Sequence, residues 1–288
     1  MRHVFTIWCL NEVNFETLKL TVAASTANSI KGSKLKLSLW TRLVGSGPAH
    51  VGLVFPKSNM QSFSHVLRSS IHFINHHIPT LERWREETPE GFEFTLKAWQ
   101  LITREAKSPT YRRLKKKLSE SEKREVGYFK PTPLVKEAWK VTLACAEALK
   151  ARTILFQCPV SFRQTRENTS NLEKFFSTIN RGAFTFCWEP RGDWEGEIIE
   201  SICHAFKLWH VVDPFSRKTV TPNNCYFRLH GKTGWRYQYD ETELEELAAM
   251  LPKAGSSYVF FNNIAMTKDA LRFQELIHVQ GNSAGKER

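Results

Sequence analysis

Eight short apolar runs, each about the length of a strand, recur between residue 50 and the C-terminus, and helical spacing fills most of the gaps between them. They are HVGLVF (50–55), SIHFI (70–74), EFTLKAW (93–99), TILFQCP (153–159), FTFCWEP (184–190), KLWHVVDP (207–214), CYFRLHG (225–231) and SSYVFFNN (256–263). Each is rich in β-branched or aromatic residues and too short for a typical helix. Between them lie PTLERWREE, PLVKEAWKVTLACAEALKA, SNLEKFFSTI, WEGEIIESICHAF, DETELEELAAML and TKDALRFQELI. The second of these has apolar residues at 134, 138, 141, 145, 148 and 149, a stripe with 3.6-residue spacing. Strand alternating with helix is the pattern of a parallel sheet with crossover helices. Eight strands point to closure as a (β/α)8 barrel of TIM type, with an open doubly wound sheet as the alternative.

Two segments break the alternation. Residues 1–49 show no clean periodicity and are read as an N-terminal extension of uncertain order, before a single barrel domain over 50–280 and a tail at 281–288. Residues 100–132 form an insertion between the third run and its crossover helix. Within it Ser108 and Pro109 have the character of a helix start and Gly127 of a helix stop, so a basic helix is predicted over 108–126. The chain leaves the third strand at its C-terminal end, which places this helix as a lid on the catalytic face of such a fold.

The formal net charge is +12, and residues 104–140 alone hold twelve Lys and Arg against five Asp and Glu. More than half of the excess therefore sits in about an eighth of the chain, a patch that attracts anions. The six cysteines form no C-x-x-C pair and mostly lie inside apolar runs, as buried thiols of a reducing, cytoplasmic compartment do. No stretch is long and apolar enough to span a membrane, and the run after Arg2 ends too early for a secretory leader. There is no H-E-x-x-H or similar ligand spacing, so no metal is assigned; His76 and His77 beside Pro79 are weak candidates. The G-x-G-x-x-G, P-loop and G-x-S-x-G patterns are absent too, which disfavours Rossmann-type cofactors and serine hydrolase chemistry and leaves the cofactor open.

Polar residues gather where the runs end. Lys97 and Gln100 close the third, Gln157 the fourth, Glu189 and Arg191 the fifth, Asp213 the sixth, Arg228 and His230 the seventh, and Asn262 and Asn263 the eighth. Arg228 and His230 share parity, so one face of the strand carries both; inward at the mouth, paired with an acid such as Glu189, is the cheaper placement. The structural alternative is a polar network that only ties strand ends together. The functional one is a site built from several strands, with Glu189, His230 and Lys97 as catalytic candidates and Arg191, Arg228, Gln157, Asn262 and Asn263 as binding candidates.

In order along residues 80–278, TPEGFEFTLKAWQLIT, ILFQCPVSF, EPRGDW, YFRLHG and FFNN…DALRFQEL resemble successive motifs of the domain of unknown function 72 family, also called YecE-like. The resemblance implies a TIM-type barrel and supplies no reaction. Carried over motif by motif, the family's polar positions fall on Lys97, Gln157, Glu189, Arg191, Trp194, Arg228, His230, Asn262 and Asn263, which adds Trp194 to the binding candidates. The first third departs from the family pattern. Arg68 stands at a Glu position, His72 and Ile74 at those of Thr and Tyr, and Arg104 at that of His.

Two functions are expected. One is an enzyme acting on an anionic small molecule, with Glu189 or His230 tuned toward neutrality as acid or base and cationic side chains holding phosphate or carboxylate. The other is nucleic-acid binding or processing through Arg112, Arg113, Lys115, Lys116 and Lys117, with nearby Tyr111, Tyr128 and Phe129 free to stack on bases.

Overall fold

TILFQ is buried along its whole length, and this follows from its place in the centre of a parallel sheet with helices on the outer face. It is one of nine strands in a computed structural model that describes residues 2–8, 52–56, 68–71, 78–88, 93–114 and 117–283. The strands are β1 (Arg2–Trp8), β2 (Gly52–Pro56), β3 (Arg68–Ile71), β4 (Glu93–Lys97), β5 (Thr153–Gln157), β6 (Thr185–Glu189), β7 (Trp209–Val212), β8 (Asn224–Leu229) and β9 (Ser256–Phe261). The helices are α1 (Ile78–Glu87), α2 (Gln100–Thr103), α3 (Glu120–Glu125), α4 (Pro133–Ala148), α5 (Arg166–Thr178), α6 (Gly196–Ala205), α7 (Glu241–Ala249) and α8 (Met266–Ser283). A 3₁₀ turn, Pro109–Arg113, precedes α3.

The sheet runs β2-β1-β9-β8-β7-β6-β5-β4-β3, and every pairing is parallel except β1 with β2. Its curvature can be read from side chains. Five strand spacings of about 4.8 Å separate β4 from β9, so a flat sheet would hold them about 24 Å apart. Yet the Tyr258 hydroxyl on β9 donates to the Glu93 carboxylate on β4, and Thr153 Oγ1 on β5 bonds the same hydroxyl at 3.1 Å. The six strands β4–β9 are therefore curled into a parallel half-barrel.

Alternation sorts the residues into two faces. The inner face rises in layers, from Glu93, Thr153 and Tyr258, through Tyr226 stacked on Phe260 at 4.6 Å, to Lys97, Gln157, Glu189 and Arg228 at the C-terminal ends. The outer face is aromatic. Phe156 of β5 meets Trp139 of α4 at 5.9 Å and Phe175 and Phe176 of α5 at 5.8 and 5.0 Å.

The α/β class, the parallel sheet and all eight predicted runs are present, with three differences from expectation. A ninth strand, β1, lies inside the supposed extension and pairs in parallel with β9. The first predicted run, β2, then runs antiparallel on the outer side of β1. The third difference is the insertion, which is no single helix over 108–126. Leu114 is extended, and α3 starts anew at Ser119 with a capping box to Glu122. Like charges explain the break: Arg112, Arg113, Lys115, Lys116 and Lys117 would stack one turn apart on a helix.

Candidate functional site

The last inward residue of each central strand places a polar group at one end of the half-barrel. Gln157 and Glu189 are cross-strand partners in the β5–β6 ladder, and the Gln157 side-chain amide donates to both Glu189 oxygens at 2.9 and 3.1 Å. That fixes which way the amide points. Its oxygen faces away from the carboxylate, where it accepts from the Lys97 Nζ and from Arg104 at 3.1 Å. Glu189 accepts from Arg228 on the other side and pairs with Arg191 Nε at 3.2 Å. Lys97, Gln157, Glu189 and Arg228 are all buried, while Arg191 keeps 38 % of its side chain in solvent.

The electrostatics follow from this arrangement. Burial alone would raise the Glu189 pKa, but Arg228, Arg191, His230 and the Gln157 amide outweigh it and hold the carboxyl at about 2. Glu189 is thus a carboxylate with both oxygens engaged, which differs from the tuned acid or base that the sequence pointed to. His230 is pushed down to about 4 by burial, with Arg228 next in weight. Burial holds the Lys97 amine well below the usual lysine range, and Arg104, Arg228 and Arg191 push in the same direction against Glu189.

His230 continues the parity of Arg228, and its backbone N–H donates to Asp213 Oδ2 at 2.9 Å. Its Nε2 is buried with no hydrogen-bond partner among the described residues. Asn262 continues the β8–β9 ladder through a 2.7 Å bond from its N–H to the Leu229 carbonyl, on the same face as Phe260. It is 4 % exposed, and neither polar atom of its side chain has a partner among the described residues.

Two expected site residues lie elsewhere. Asn263 faces the opposite way, with its amide on Asp269 Oδ2 at 2.5 Å and the Tyr237 carbonyl at 2.8 Å. Trp194 is core: its indole N–H donates to the Phe162 carbonyl at 2.8 Å and its ring meets Trp188 edge-on at 5.3 Å.

Arg104 was singled out by sequence only as a departure, yet it reaches Gln157. The single turn α2 brings the chain back over the end of β4, and the Tyr111 hydroxyl anchors the Arg104 carbonyl at 2.7 Å. Of the nucleic-acid candidates, Arg112 and Lys117 are exposed, the Arg113 side chain is not described, and Lys115 and Lys116 lie outside the described residues. Tyr111 is half-buried against Arg104, and Phe129 is core. The Arg68 side chain, His72, Ile74, His76 and His77 also lie outside the described residues. Among the described residues no three His, Cys, Asp or Glu gather as a metal site, and no helix is long and apolar enough to cross a membrane.

The model of the protein family of unknown function DUF72 matches residues 70–287, well over half of the chain and the whole of this cluster. The chain belongs to the DUF72 family. Two solved DUF72 structures resemble it in fold. One, from Enterococcus faecalis, is 19 % identical, with a TM-score of 0.53 over 72 % of this chain and 84 % of that one. The other, from Thermotoga maritima, is 21 % identical, with a TM-score of 0.51 over 73 % and 84 %. No curated protein matches the chain. DUF72 membership accounts for the order of the motifs; the chemistry of the cluster has to be argued from its own residues.

Proposed function

We propose that this chain is an enzyme whose site, at the C-terminal ends of β4, β5, β6 and β8, takes a small molecule bearing a phosphate or carboxylate group. One observation carries the reading. The cluster holds the amine of Lys97 and the guanidiniums of Arg104, Arg191 and Arg228 around a single carboxylate, Glu189. Cations crowded into a poorly solvated place repel one another, and a bound anion relieves that repulsion. Guanidinium forks suit the oxygens of phosphate and carboxylate. His230 Nε2 and the Asn262 amide, buried without partners among the described residues, add neutral groups for the uncharged part of the ligand. Val160, Trp235 and Ile264, three exposed apolar side chains, follow β5, β8 and β9 and border the same end.

The site reading goes with a fuller fold reading. We infer that the sheet closes into a barrel of the (β/α)8 type with β2 as an added antiparallel strand, a conclusion supported by the approach of β1 and β2 to β3 across the remaining gap. In such a barrel the C-terminal face is where catalytic residues collect.

Thermal unfolding with matched ligand pairs at constant ionic strength tests the proposal. Phosphorylated and carboxylated metabolites should raise the melting temperature, and their neutral parents should not. Equal effects from charged and neutral members of each pair would remove the anion site.

A further inference from the structure

We propose that Lys97 forms an imine with the carbonyl carbon of an anionic aldehyde or ketone, such as an oxo acid or a phosphorylated sugar, held among the guanidiniums. This rests on the anion-site reading above and names its substrate class and first covalent step.

Lys97 ends β4 on the inner face, and its hydrogen-bond partner among the described residues is Gln157 Oε1, a neutral acceptor. The one carboxylate at hand among the described residues does not pair with it: the Glu189 oxygens are taken by Gln157, Arg228 and Arg191. A buried ammonium has three protons to place and seeks a carboxylate. A neutral amine is satisfied by one acceptor and keeps its lone pair for reaction. Burial and the neighbouring guanidiniums favour the neutral form, the condition under which lysines act as nucleophiles toward carbonyls. The same guanidiniums would hold the anionic group of the substrate and bring its carbonyl to Nζ.

The step is balanced without a further reactant. The Nζ lone pair adds to the carbonyl carbon, the C–O π pair moves to oxygen, and a proton passes from nitrogen to oxygen. The carbon–oxygen bond then breaks as the C=N bond forms, and the oxygen leaves as water with both amine protons. His230, neutral and with Nε2 unengaged, is placed at the same end to ferry the proton.

Reductive trapping tests this on the full chain. The protein is incubated at pH 7 with glyoxylate or glyceraldehyde 3-phosphate and cyanoborohydride, and labelled peptides are mapped by mass. The guanidiniums hold the anionic probes with their carbonyl at Nζ, so Lys97 should carry at least about tenfold more label than the exposed Lys136, Lys140 and Lys174. Excess inorganic phosphate should protect it, neutral glyceraldehyde should show no such preference, and Lys97→Arg should lose the site-specific label. Labelling of Lys97 no stronger than that of the exposed lysines, with both anionic probes, overturns the proposal. The wild-type map does not depend on the variant folding. Thermal stabilisation by phosphate without label at Lys97 sinks the imine and leaves the anion site, whereas absence of both sinks both.

Discussion

Glu189 holds Arg228, Arg191 and Gln157 in one network. Its carboxyl has a pKa of about 2 in the folded chain against 4.5 otherwise, so the unfolded chain takes up the proton first as pH falls. The contribution is full above pH 4.5 and is lost on the way down to about 2, a difference of about 3 kcal/mol. Glu189→Gln should cost about 3–5 kcal/mol at pH 7, since it leaves Arg228 buried without its carboxylate, and should flatten this acid limb. Urea unfolding of both proteins at pH 7 and pH 3 is the check; parallel pH dependence would contradict it. His230 acts in a higher window. Its imidazole has a pKa of about 4 in the fold against 6.5, so stability falls as pH drops from 6.5 to 4. His210, also at about 4, shares that window. His230→Gln should therefore make unfolding less pH-dependent between 6.5 and 4. An anion bound beside His230 would favour the imidazolium, so phosphate binding near pH 5 should take up protons, as calorimetry in buffers of different ionisation enthalpy would record.

Most of these residues were legible because strand ends and alternation are written in the sequence. Lys97, Gln157, Glu189 and Arg228 each close an apolar run with inward parity. The same rule separates Asn262 from Asn263, since neighbours on a strand cannot both face inward; only the second, turned to Asp269, is spent on structure. Arg104 was not legible as a site residue, because it follows a one-turn helix, Gln100–Thr103, whose N-cap Trp99 makes no side-chain cap.

At the scale of elements, the insertion matters through its two ends. Gly127 has φ +82°, and its N–H donates to the Leu101 carbonyl at 2.7 Å. A Cβ there would lie 2.3 Å from the Arg104 carbonyl oxygen. Gly127→Ala should destabilise by more than the about 1–3 kcal/mol of backbone strain, and should weaken phosphate binding by displacing Arg104. Full anion affinity in a destabilised variant would separate Arg104 from the site. Arg112→Gln with Lys117→Gln, both exposed and outside the cluster, should change phosphate affinity less than about twofold. A larger loss would return the insertion to the binding surface. The sequence marked this segment as basic and apart, but its Gly and Ser-Pro punctuation hid the break at Leu114, which the lysine run and the box from Ser119 to Glu122 explain. β1 was hidden for another reason: RHVFTIW stands far in sequence from the strand it pairs with, and no local pattern names a partner.

For the whole molecule, the net charge of +12 sets a background that attracts any anion, so the account depends on a specific site standing above that background. Calorimetric titration of inorganic phosphate into the wild-type chain and into Arg104→Gln/Arg191→Gln, at fixed ionic strength with chloride as control, is the most direct measurement. These two arginines line the cluster and are less buried than Arg228, so their loss is the milder one for the fold. A built anion site predicts one saturable binding event in the wild-type chain and at least a tenfold loss of affinity in the double variant. Saturable binding of equal strength in both proteins, or no binding beyond the chloride control, would contradict it.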